Sequence, residues 1–344
     1  MDILSTFAPT LVEQLQKPTL AFLMGGMLLA AMGSKLRIPK PVYAFIVVVL
    51  LLKVGLGAGM AIRRADPLDL ILPAIAAMAL GVVIVLLGAW ALTRGRGVRP
   101  VDGMATAGLF GAVSASTLAA GIAALEDNGM SYEGYIGALY PFMDVAALLT
   151  AIMLARLAEA RQSVHVSGGA AAMGRGNLPN IGARGILVDT LRSPAISALI
   201  LGIGIGLWAE PQSLYDDFYA PFFYGLLSLL MLIMGMDAWT RLSDLRGAAH
   251  AYLAYALVSP LVHGALGFGV GVALHHGVGF SLGGAVLLAV MAASSSDISG
   301  PPTLRAALPE ANPSAYVGAS TGLGTPIALL SIPLWIALAE GLGG

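Results

Sequence analysis

The sequence predicts an all-α polytopic membrane protein of about ten transmembrane helices, built as two inverted five-helix repeats with discontinuous fourth and ninth helices. Three observations predict it: too little charge to coat a soluble surface, a series of apolar stretches long enough to cross a bilayer, and a register relating the two halves of the chain. Of 344 residues, 58% are hydrophobic and 11% charged, less than half the roughly 25% charged residues of a soluble domain. A soluble enzyme of this size would need more charge on its surface. A net charge of −1 leaves no basic footprint for nucleic acid. The absence of cysteine removes disulfides, thiolate metal sites and cysteine nucleophiles. The 44 glycines suit closely packed membrane helices, whose backbones approach where side chains are small.

A bilayer-spanning helix needs roughly 20 mostly apolar residues. The first five spans are Pro18–Gly33, Pro41–Ile62, Leu68–Leu92, Val101–Leu125 and Gly134–Ala158. A polar, glycine-rich stretch, Glu159–Gly185, has no apolar period and reads as a loop. Five further spans follow: Pro194–Trp208, Pro221–Met236, His250–Leu274, Leu282–Ala307 and Ser314–Gly341. The chain thus divides into a first repeat over 1–158, a loop over 159–185 and a second repeat over 186–344. The opening MDILSTF lacks the basic start of a signal peptide, and Met1–Gln16 alternates apolar and polar residues like a short interfacial or packing helix.

Lysine and arginine placement predicts the orientation. With ten spans, 14 of the 18 basic residues fall in loops on one side, among them Lys35, Arg37, Lys40, Arg94, Arg99 and Arg305. Lys17, Arg63 and Arg64 fall on the other side, and Lys53 lies inside a span. The positive-inside rule makes the first side cytoplasmic and puts both termini outside, as in a multi-pass protein of the bacterial plasma (inner) membrane.

The halves match at a nearly constant offset. Lys17-Pro18 opens the first span as Ser193-Pro194 opens the sixth. Pro41 and Gly55 correspond to Pro221 and Gly235, 180 residues on. Tyr135-Ile136-Gly137-Ala138 corresponds to Tyr316-Val317-Gly318-Ala319 at 181, and Ala147-Leu148-Leu149 to Ala328-Leu329-Leu330 at the same offset. Five is an odd number of spans, so the second copy runs upside down, an architecture of transporters with a site near the midplane.

Two helix breaks superpose under that offset. The fourth span contains Gly111-Ala112-Val113-Ser114-Ala115-Ser116-Thr117, and the ninth contains Ser294-Ser295-Ser296-Asp297-Ile298-Ser299-Gly300-Pro301-Pro302-Thr303. Pro301 and Pro302 interrupt a helix but suit the first turn of a new one. The offset places Ser114 on Ser295 and Ser116 on Asp297. Irregular backbone at bilayer depth survives only where it is buried or lines a polar cavity. Half-helix N-termini attract an anion, and hydroxyls of Ser114, Ser116, Thr117, Ser295, Ser296 and Ser299 can hydrogen-bond its oxygens. Neither break holds a lysine or arginine, which points to a small, weakly charged anion. Arg305, the nearest base, is expected toward the cytoplasmic face.

Asp297 costs about 2.5–3.5 kcal/mol at bilayer depth and needs a partner. It either ligates sodium together with serine hydroxyls and unwound carbonyls, or caps the half-helix starting near Ile298. Asp144, whose repeat counterpart is Thr325, either ligates an ion or pairs with a base. Of the other polar residues, Lys53 reads as snorkelling or salt-bridged, and Asp237 and Arg241 as a mutual pair. His263 reads as a core histidine, and His275-His276 as part of an external loop.

At these residues the chain resembles the sodium-dependent bicarbonate transporter family best known from the cyanobacterial carbon-concentrating mechanism. The resemblance spans nearly the whole chain. Its most specific stretches are Gly108 to Ser114, Gly137 to Asp144, Leu226 to Trp239, Ala293 to Ala306 and Asn312 to Ser320. It implies a core domain moving elevator-fashion against a gate domain, each drawn from both repeats, and a homotrimer in the lipid bilayer. It implies secondary active transport without enzymatic activity or cofactor, in which sodium, as the coupling ion, carries bicarbonate into the cytoplasm. Substrate contacts fall to Gly111, Ser114, Ser116, Thr117, Ser295, Ser296, Ser299, Gly300 and Thr303, and sodium to Asp297, Asp144 and Ser294. Family members have Gly where this chain has Ala115. The family's PII-like regulatory partner binds on the cytoplasmic side, where the 159–185 loop is shorter here. Two other readings of the residues are a sodium-coupled carrier of another small anion and an intramembrane aspartyl protease using Asp144 and Asp297.

Overall fold

The structure, a computed structural model, describes residues 18–64, 67–95, 97–166, 188, 191–192, 194–209, 211–244 and 250–343. The helix expected over Met1–Gln16 and most of the 159–185 loop lie outside these residues.

Every regular element among the described residues is helical. The first half contributes α1 (Pro18–Ala31), α2 (Lys40–Arg64), α3 (Pro67–Thr93), α4 (Pro100–Gly111), α5 (Ala115–Asp127), a 3-10 turn (Ile136–Ala138) and α6 (Leu139–Val166). The second half contributes α7 (Pro194–Trp208), a helical turn at Gln212–Leu214, a π-helical stretch at Tyr215–Tyr219 and α8 (Ala220–Asp244). It continues with α9 (His250–Val278), α10 (Leu282–Ala293), α11 (Gly300–Ala307), α12 (Pro313–Val317), a π-helical stretch at Gly318–Gly324 and α13 (Thr325–Gly343). Proline opens α1, α3, α4, α7 and α12, because its fixed φ suits the first helical position and its missing N–H is not needed there.

Seven helical stretches among the described residues are long and apolar enough to cross a membrane, and three shorter apolar helices accompany them: Leu20–Ala31, Ile196–Trp208 and Leu282–Ala293. Two expectations are corrected. The fifth span ends at Ala158 as expected, but the residues after it, expected as loop from Glu159, continue as helix in α6 to Val166, because Glu159 to Val166 contains no glycine or proline to stop it. His275 and His276, expected in a loop, occupy the last turn of α9, where a His275 ring nitrogen bonds the Phe280 carbonyl at 2.6 Å.

Packing follows the small residues. α2 lies against α7 with Gly55 facing Leu199 O and Gly202 Cα, so that a Cβ at Gly55 would strike the α7 backbone. α1 lies against α8 in the same manner, with Gly26 on the Leu232 carbonyl and Gly235 on the Leu23 carbonyl. With little hydrophobic drive between helices in lipid, such close backbone approach supplies the contact energy. α3, α4 and α6 pack mutually, as do α9, α10 and α13. Outward faces of α3 and α9 carry Ile75, Leu86, Trp90, Leu257 and Val262, the apolar surface a lipid-facing helix presents. The interrupted stretch Pro100–Asp127 is the most buried of the seven, 94% of its apolar part against 39% for Asp69–Thr93.

Candidate functional site

α4 stops at Gly111 because three helices converge there. A Cβ at Gly111 would meet Val85 on α3, the Gly81 carbonyl at 3.0 Å and Ala147 on α6 at 3.1 Å. Ala112, Val113 and Ser114 are non-helical, and α5 restarts under a serine cap: Ser114 Oγ accepts from the Thr117 N–H at 3.2 Å. In the second half, α10 ends at Ala293 and α11 begins at Gly300, leaving Ser294 to Ser299 outside helix.

The two breaks face and bind each other. Ser114 N–H donates to Ser294 Oγ at 3.0 Å, and Ser296 N–H donates to the Leu109 carbonyl at 2.8 Å. Ser116 Oγ donates to Asp297 Oδ2 at 2.7 Å and lies 2.8 Å from Ser114 Oγ. Each half also steadies its own break from its last span. Asp144 Oδ1 accepts from the Val113 N–H at 3.1 Å, and Thr325 Oγ1 lies 3.1 Å from Ser295 Oγ. Asp144 reaches across as well, its Oδ2 accepting from Ser299 Oγ at 3.0 Å. The pairing of Asp144 with Thr325 in the repeat register therefore has a geometric counterpart.

The expected residues gather at this crossing with different duties. Ser294 acts as a staple, donating to the Met291 carbonyl at 2.7 Å while accepting from the Ser114 N–H. Ser296 Oγ accepts from the Gly300 N–H at 2.9 Å, satisfying a donor at the start of α11. Thr303 Oγ1 is spent on the Ser299 carbonyl at 2.8 Å, and Gly111 serves packing. Asp144 makes no ion pair among the described residues; donors occupy both its oxygens. The two acids do not hydrogen-bond each other, as a proton-sharing dyad would.

Asp297 differs. Its Oδ2 takes Ser116 and, at 3.4 Å, the Tyr43 hydroxyl of α2. Its Oδ1 is buried without a hydrogen-bond partner. Such an orphan is costly unless something binds it. Asp297 also lines a cavity of about 920 Å³ together with Tyr43, Arg37, Lys40, Thr321 and Arg305. Arg305 thus faces the cavity from the end of α11 rather than entering the break.

Three participants carry too weak a sequence signal to be singled out. Tyr43 begins a span, where an aromatic ring ordinarily marks the membrane interface. Ser320 Oγ donates to Ser295 Oγ at 2.9 Å from a π-helical turn that only the small-residue run GASTGLG foreshadows, and Met234 Sδ accepts from Tyr43 at 3.8 Å. Elsewhere, Lys53 is salt-bridged to Glu126 at 3.3 Å, and His263 is buried with Nε2 3.5 Å from the Tyr255 hydroxyl. The Asp237–Arg241 pair involves a side chain outside the described ones.

Facing helix breaks, with an acid at their crossing and apolar helices around them, define a multi-pass membrane protein with a buried polar site beside a large cavity. The chain belongs to the Na+-dependent bicarbonate transporter superfamily, whose family model matches residues 18–340. No curated protein matches the sequence.

Proposed function

We propose that the protein is a secondary active transporter that couples sodium entry to bicarbonate uptake by alternating access. The observation that carries this is Asp297: a carboxylate with one oxygen held by Ser116 and Tyr43 and the other orphaned beside a large cavity. A hard monovalent cation fits an orphan carboxylate oxygen among hydroxyls, and Asp297 is the sodium residue in this reading. The Ala115 and Ser116 N–H groups at the start of α5, which lack intrahelical acceptors, then face the anion beside the Ser116 hydroxyl, with Ser295 and Ser299 completing the oxygen lining, while Thr117 bonds Ser114 Oγ with both its N–H and its hydroxyl. Gly111, Ser294, Ser296, Gly300 and Thr303 hold the frame, and Asp144 fixes both breaks rather than moving with the ions.

The inverted repeat supports alternation. α1 on α8 and α7 on α2 are the same contact exchanged between halves, and the α3–α4–α6 group mirrors α9–α10–α13. In this reading α1, α2, α7 and α8 form the gate and the two interrupted groups form the core. The cavity lining includes Arg37, Lys40 and Arg305, so the positive-inside rule gives the cavity a cytoplasmic opening and the conformation is inward-open in this reading. One inward elementary charge gains about 2.3 kcal/mol per 100 mV, so one sodium offsets the electrical cost of one bicarbonate and its concentration gradient drives accumulation.

Uptake of labelled bicarbonate into proteoliposomes, with and without an inward sodium gradient, tests the proposal. Gradient-dependent accumulation is expected, and equal flux without sodium overturns the coupling. Competition by sulfate in place of bicarbonate would assign the site to another anion.

A further inference from the structure

A second charged cluster lies away from the crossing. Lys53, only 5% exposed in the middle of α2, bonds Glu126 near the end of α5 at 3.3 Å. Tyr132 donates to the same Glu126 oxygen at 2.9 Å, and Tyr224 donates to the other at 3.0 Å. Burial and the adjacent Glu126 carboxylate push the Tyr132 phenol well up, so it remains a donor. The Lys53 ammonium also lies 3.9 Å from the centre of the Phe223 ring and 5.8 Å from that of Tyr215. One ion pair therefore ties α2, α8 and the π-helical stretch before α8 to α5 and the loop that follows it.

Its position along the helices gives it meaning. On α2, Tyr43 and Val47 line the 920 Å³ cavity, whereas Lys53, Gly57 and Arg64 line a separate pocket of about 240 Å³. Val47 and Lys53 are about 9 Å apart along the helix axis. α5 begins at the crossing with Ala115 and reaches Glu126 about 16 Å further on. The helix that bears half the site thus touches the large cavity's lining at one end, through Ser116 on Asp297, and is fastened to α2 and α8 at the other. Breaking a partly buried pair by removing one member leaves the other charge desolvated, so the fastening holds until both partners separate into water or find new ones.

We propose that Lys53 and Glu126, steadied by Tyr132 and Tyr224, are the bolt of the gate opposite the large cavity, and that this bolt opens whenever the site is reached from that face. The proposal rests on the alternating-access reading above. The chain has no cysteine, so single-cysteine reporters carry no background. Two are placed in the full-length protein: Val47→Cys in the large cavity and Ile122→Cys in the 240 Å³ pocket. Their modification rates by a charged thiol reagent are measured in detergent. Glu126→Gln is expected to raise the Ile122→Cys rate about tenfold and lower the Val47→Cys rate, as a shifted two-state equilibrium requires. Reversing the pair, Lys53→Glu with Glu126→Lys, restores both rates. Tyr224→Phe, the milder change, shifts them in the same direction by about two- to threefold and carries the test if the reversed pair does not fold. Rates unmoved by Glu126→Gln and Tyr224→Phe overturn the bolt. So do rates that rise at both reporters, which is loosening rather than exchange, and a folded reversed pair that fails to restore them. Labelling needs no substrate, so a protein without sodium-coupled bicarbonate uptake would sink the transport reading while the labelling still decides the bolt.

Discussion

At Ala112 to Ser114 the chain leaves one half-helix and enters the next almost at once, with Ser114 capping α5 and Ser294 receiving the Ser114 N–H. At Ser294 to Ser299 it wanders further, and the first N–H of α11 is taken by Ser296, four residues back, rather than by the adjoining Ser299. The first break has its N–H groups taken by short side chains, Ser114, Ser294 and Asp144; the second contains a carboxylate with a buried oxygen that no hydrogen bond reaches. Superposed breaks therefore need not play the same part. One is the frame and donor set, and the other holds the charge.

The sharpest way to break that contrast is Asp297→Asn, which keeps size and removes the charge. Sodium-dependent bicarbonate uptake in proteoliposomes should fall at least about a hundredfold, the scale of losing a buried charged partner, and retained sodium dependence would move the ion elsewhere. Next is Ser294→Ala, which leaves the buried Ser114 N–H without its acceptor. A cost of about 1–3 kcal/mol should appear as a lower melting midpoint in detergent, whereas unchanged melting with a weakened sodium response would make Ser294 a ligand instead of a staple. The smallest effect is expected for Thr303→Val, since that hydroxyl serves only its own helix. The KM for bicarbonate should stay within about twofold, and a tenfold rise would return Thr303 to the substrate.

Much of the site is legible in the sequence. Ser116 and Asp297 match at an offset set by distant residues, and the structure joins them by a 2.7 Å hydrogen bond. Both interruptions can be read because glycine, serine and tandem proline are poor material for a continuous buried helix. Tyr43 is not legible, since its contact with Asp297 joins residues 254 positions apart and a phenol at a span's start has an ordinary interfacial explanation. For Lys53 a salt bridge is legible as one of two readings, but its partner is not: Glu126 looks like an acid at a helix end, and the two meet only where α2 crosses α5.

The sequence by itself determined the membrane class, the family and the places where helices break, because these depend on local composition, on length against bilayer thickness and on residues near in the chain. Only the tertiary structure decided which hydroxyls are consumed by the backbone, which carboxylate oxygen is left over, and which acid meets Lys53. Those outcomes depend on satisfying buried polar groups across helices, and chain neighbours cannot reveal which distant donor arrives.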